Sequence, residues 1–60
     1  MAYEILVVDD EMDIRELVGG ILEDEGYAVR TAADADQALQ QVKSRAPNLV
    51  ILDVWLKWSE

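Results

Sequence analysis

The sequence predicts an α/β fold, β-α-β-α-β around a parallel sheet, and three observations carry that reading. Two short, continuously apolar runs, Ile5-Leu6-Val7-Val8 and Leu49-Val50-Ile51-Leu52, each stop on an aspartate. Two segments between them repeat apolar residues at helical spacing. The connections are short, and strands alternating with helices over short connections give parallel sheets with right-handed crossovers.

The run Ile5–Val8 has the continuous, β-branched character of a strand buried on both faces. It ends at Asp9-Asp10-Glu11, three acids that cannot remain in a core. A helix follows, with Ile14, Leu17, Val18, Ile21 and Leu22 forming one apolar stripe. Asp10 or Glu11 is its expected cap, Asp13 suits the first turn, and Gly26 is the expected stop. Gly19-Gly20 lie inside the helix, costing roughly 1 kcal/mol each against alanine, and point to close packing against the sheet.

Tyr27–Ala32 reads as a second strand with partial alternation, nearer a sheet edge. Asp34 caps a second helix with apolar positions Ala35, Ala38, Leu39, Val42 and Ala46, and Pro47 closes that segment. Leu49–Leu52 is a third buried strand ending on Asp53. Residues 54–60, with Trp55, Leu56 and Trp58, have no clear period.

The 60 residues make one domain at most, and a chain this short is marginal on its own. It has no cysteine and no histidine, which excludes disulfides, Cys/His zinc sites and histidine-based triads. Any metal would need oxygen ligands, favouring Mg²⁺, Mn²⁺ or Ca²⁺. A net charge of −8 disfavours direct contact with nucleic acid or anionic membranes. The apolar runs are too short to span a membrane, and no basic leader precedes them, so a cytoplasmic location is expected.

The chemistry is expected where the strands end. With strand order 2-1-3, the first and third strands are neighbours about 4.8 Å apart. Asp9, Asp10 and Asp53 would then converge beyond the carboxyl ends of the sheet, where α/β folds bind ligands. Converged carboxylates repel one another, and a hard divalent cation relieves that repulsion while accepting phosphate oxygens. An acid run after a strand is otherwise an ordinary cap and solvated turn, so it is the paired occurrence on two strands that indicates a metal site. Neither glycine-rich phosphate-loop pattern is present, which argues against nucleotide binding.

The string Ile-Leu-Val-Val-Asp-Asp-Glu, the amphipathic helix ending Glu-Gly-Tyr, and Leu-Val-Ile-Leu-Asp together resemble the receiver domains of two-component response regulators. The resemblance covers residues 3 to about 56 and looks most like NtrX-type regulators of the NtrC family. It implies a truncated flavodoxin-like (CheY-like) fold, with residues 1–60 supplying the first three strands and two helices. It also implies that Asp53 is the nucleophile accepting a phosphoryl group from a phosphohistidine on a sensor histidine kinase. Mg²⁺ (or Mn²⁺) would be bound directly by Asp10 and Asp53, through water by Asp9, and by the backbone carbonyl of Trp55. Such a module is no enzyme beyond promoting its own phosphorylation.

The sequence departs from the family in several ways. Receivers have five strands and five helices, and their strand-four Ser/Thr, strand-five Lys and aromatic switch residue have no counterpart here. Neither Lys43 nor Lys57 occupies a position that replaces that Lys. Lys57 and Trp58 stand where Pro and Gly are common. Strand three, about residues 49–53, is expected to be a bare apolar edge which, with Trp55 and Trp58, would drive a homodimer or domain-swapped oligomer. The alternative function is therefore a self-associating half-domain with no phosphotransfer activity. A haloacid-dehalogenase-type hydrolase fits less well, because it needs Asp-x-Asp where this chain has adjacent acids followed by Glu11.

Overall fold

The computed structural model describes residues 3–52. The elements are β1 (Glu4–Val8), α1 (Met12–Asp24), β2 (Ala28–Ala32), α2 (Ala35–Ser44) and β3 (Leu49–Leu52). They form a parallel three-stranded sheet in the order β2-β1-β3. Both the element order and the strand order agree with the sequence reading.

The register sets which side chains share a face. Ile5 is level with Val29 and Leu49, and Leu6 with Arg30 and Val50. Side chains alternate along each strand. Val29 and Thr31 therefore lie under α1, while Leu6, Val50 and Leu52 lie towards α2. One helix covers each face. Central β1 is the best-protected strand, with Ile5, Leu6, Val7 and Val8 all at most 2% exposed. Leu6, Val8, Ala32 and Ala38 form the buried cluster beneath α2.

The helix ends show how local sequence writes structure. Asp34 caps α2 as expected: its Oδ1 accepts from the Gln37 N–H at 2.8 Å, and Gln37 Oε1 accepts from the Ala33 N–H at 3.0 Å. Gly26 ends α1 as expected, with φ of 95°. The Gly26 N–H bonds the Glu23 carbonyl, and the Tyr27 N–H bonds the Leu22 carbonyl, completing a Schellman turn. Tyr27 belongs to that turn, so the second strand starts at Ala28, one residue later than the sequence reading. Tyr27 stacks edge-on against Tyr3 at 5.9 Å.

Other expectations are corrected. Ala46 does not belong to α2, which ends at Ser44, and Arg45 is already extended. The ring of Pro47 disfavours helix at the residue before it, and the Arg45 side chain is turned towards Glu4 instead. The α1 stripe is not a core stripe: Ile14, Leu17 and Ile21 are exposed, and Gly19 is the helix's buried residue. Close packing holds for Gly19, where a Cβ would meet Val29 Cγ1 at 3.4 Å, but Gly20 faces open space. β3 is not buried on both faces either. Leu49, Val50 and Leu52 are 40–46% exposed, because the helices pack on β1 and β2. An apolar hollow of about 130 Å³ between α2 and β3 is lined by Leu39, Val42, Val50 and Leu52, among others.

Candidate functional site

The two ends of the sheet carry different charge chemistry. At the amino end, Glu4 accepts from both Arg30, at 3.1 Å, and Arg45. Arg30 also donates to the carbonyls of Gln41 and Arg45, and to Gln41 Oε1 at 2.9 Å. One guanidinium thus ties β1, β2 and the end of α2 together, satisfying carbonyls that a helix terminus leaves free. The hydrogen bond from Arg45, together with the charges of both arginines, holds the Glu4 carboxyl below its ordinary value of 4.5. Asn48 secures the start of β3: its Oδ1 accepts from the Glu4 N–H at 2.7 Å, and its N–H donates to the Glu4 carbonyl at 2.8 Å.

At the carboxyl end, Asp9 and Asp10 follow β1 directly. Asp9 is buried, at 8% exposure, and is fixed through three of its groups. Its N–H bonds the Ala32 carbonyl at 3.1 Å, its Oδ1 accepts from the Glu11 N–H at 2.9 Å, and its carbonyl accepts from Arg15 at 2.7 Å. The cap expectation is corrected here. Glu11 holds the N-cap position but its side chain makes no cap bond, and Asp10 takes no part. Asp9, one residue earlier, closes the turn through its carboxylate. Asp10 is exposed, its carboxylate left to solvent at the sheet edge.

Of the expected site residues, the structure places Asp9, buried, and Asp10, exposed, consecutively after β1. Asp53 and Trp55 lie outside the described residues, as does Trp58. Among the described residues, no group of three or more potential ligands could hold a metal ion. What is described fits a hard cation in donor type: two adjacent carboxylates at a strand end, with Asp9 Oδ2 lacking a hydrogen-bond donor among the described residues. β1 and β3 end level, Val8 being in register with Leu52. Among the described residues, no helix is long and apolar enough to cross a membrane.

Arg15 is the residue at this end that motif spacing does not mark. Its sequence signal is indirect: a cation in the opening turns of a helix, where the helix dipole disfavours one, calls for a local acceptor.

The response regulator receiver domain model matches residues 5–58. Over 59 residues the chain is 63% identical to the nitrogen assimilation regulatory protein NtrX of Azorhizobium caulinodans, covering 98% of this chain and 13% of that protein. It is 46% identical over 57 residues to a putative NtrX-like response regulator of Rickettsia bellii, covering 95% of this chain and 12% of that protein. The crystal structure of NtrX from Brucella abortus superposes with a TM-score of 0.91 at 63% identity, over all of this chain and 13% of that one. The chain therefore spans about an eighth of the length of these relatives. With the β2-β1-β3 sheet, one helix on each face and the acids that follow β1, the match over residues 5–58 establishes that the chain belongs to the response regulator receiver domain family.

Proposed function

We propose that this chain is a phospho-accepting receiver module of a two-component system, with Asp53 as the acceptor. In transfer from a phosphohistidine, an Asp53 carboxylate oxygen attacks phosphorus, a P–O bond forms, and the electron pair of the breaking P–N bond returns to the imidazole. Asp10 and Asp53 bind Mg²⁺ (or Mn²⁺) directly, Asp9 does so through water, and the Trp55 carbonyl completes the protein ligands. The cation, when bound, offsets charge on the phosphoryl oxygens. A sensor histidine kinase is the partner, and the cytoplasm is the compartment.

One observation carries the reading. β1 and β3 end level at Val8 and Leu52, and in the sequence each is followed by an aspartate. The exposed Asp10 and the part-engaged Asp9 give a cation somewhere to bind. Intact mass after incubation with acetyl phosphate and Mg²⁺ tests it. The unaltered chain gains one phosphoryl group, and Asp53→Ala and Asp10→Ala do not. No added mass, with Mg²⁺ binding demonstrated, reduces the chain to a metal site.

A second reading is favoured by the uncovered apolar surface. Leu49, Val50 and Leu52 on one edge and Leu17 and Ile21 on α1 are each at least 40% exposed. Two copies would meet through strand three, about residues 49–53, with Trp55 and Trp58 contributing, and would transfer no phosphate. Sedimentation of the same sample separates the readings: a folded monomer that gains the phosphoryl mass retains only the first.

A further inference from the structure

The peptide unit joining Asp9 to Asp10 is held from the helix that follows it. Arg15 Nη1 donates to the Asp9 carbonyl at 2.7 Å, a charge-assisted bond made in a partly buried setting. Because a peptide unit is planar, holding that carbonyl fixes the plane joining Asp9 to Asp10, one of the two peptide planes that flank the Asp10 Cα. The Glu11 N–H bond to Asp9 Oδ1 holds the second plane, and the two bonds together set the direction in which the Asp10 Cα–Cβ bond leaves the end of the sheet. The Asp9 side is pinned independently by its N–H and its Oδ1. Asp10, which has an exposed carboxylate, is thus held by Arg15 on one side and by the Asp9 carboxylate on the other.

We infer that Arg15 is a positioning residue for the divalent-cation site, orienting the Asp10 carboxylate through the Asp9–Asp10 peptide. This rests on the cation reading above. Two effects of Arg15 on cation affinity have opposite signs, which makes the inference decidable. Its positive charge near the acids repels a cation, so if charge dominated, removing it would tighten binding. If aim dominates, removing it loosens binding, because the loop must then order itself when the cation arrives. The second effect prevails: the guanidinium is engaged with a carbonyl, and ligand-orienting partners typically govern affinity by roughly 10- to 100-fold.

The test is calorimetric titration of the whole chain with Mg²⁺, with circular dichroism to confirm folding. Arg15→Ala weakens binding roughly 10-fold, and Arg15→Lys, which keeps a donor cation, recovers part of that loss. Arg45→Ala, at the opposite end of the sheet, lowers stability and leaves Mg²⁺ affinity unchanged. Where Arg15→Ala does not fold, Arg15→Met, which keeps the apolar stem and removes the donors, gives the same reading. Binding by Arg15→Ala that equals or exceeds that of the unaltered chain overturns the inference alone. A matching loss in Arg45→Ala also overturns it, by showing a general effect of stability. Absence of Mg²⁺ binding by the unaltered chain overturns the cation reading and this inference together.

Discussion

Among the described residues, the amino end of the sheet closes its charges and the carboxyl end leaves them open. At the amino end, Glu4 sits between Arg30 and Arg45, and every strand is tied to another element by a polar bond. At the carboxyl end, Asp9 and Asp10 stand side by side, and the nearby cation, Arg15, bonds to a carbonyl instead of a carboxylate. Both ion pairs among the described residues belong to Glu4. Among the described residues, the same residue types are paired at one end and left without an ion-pair partner at the other.

Three substitutions would break or sharpen this contrast. The largest effect is expected from Arg30→Ala, which removes the bonds linking Glu4, Gln41 and the end of α2. Its side chain is only 20% exposed, and hydrogen bonds to charged groups contribute about 1.5–3 kcal/mol. A loss of about 2 kcal/mol in urea unfolding is expected, a large share of what a 60-residue chain holds. A loss near zero would show that the amino end is not a clamp.

An intermediate effect concerns pH. The folded-state pKa of Glu4 is lowered, mainly by the Arg45 hydrogen bond. The unfolded chain therefore takes up this proton first, and the contribution of Glu4 is present above its ordinary 4.5 and lost as pH falls below it. The gap in melting temperature between the unaltered chain and Glu4→Gln should be open at pH 7 and narrow towards pH 3. A constant gap would mean that Glu4 acts by packing and not by charge. The smallest effect is expected from Asp10→Asn. Without Mg²⁺ it should change stability by no more than about 0.5 kcal/mol, as for an exposed side chain. A marked loss would place Asp10 in the structural framework and erase the contrast.

Much of the architecture was legible because it is written in local signals. Apolar runs four residues long, Asp34 three residues before Gln37, and Gly26 after an amphipathic segment each specify a nearby backbone shape. Asp9 and Asp10 were legible as site candidates for the same reason, since acids that end a buried run must sit at the sheet's edge. Arg30 and Asn48 were not. Their partners lie 11 to 44 residues away in sequence, and neither belongs to a periodic pattern. The exposure of the α1 stripe was equally hidden. Periodicity shows that Ile14, Leu17 and Ile21 share a face, but not what lies opposite that face.

The sequence by itself determined the element order, the stop of α1 and the acids that follow the apolar runs, since these follow from side-chain period, capping chemistry and the conformational freedom of glycine. Only the tertiary structure decided that Asp9, and not Asp10 or Glu11, closes the turn into α1, that Ile14, Leu17 and Ile21 of α1 are exposed, and that Arg15 reaches back to the Asp9 carbonyl. Those outcomes depend on how strands and helices stack in space, and a hydrogen bond between elements is settled by distances that no local pattern encodes.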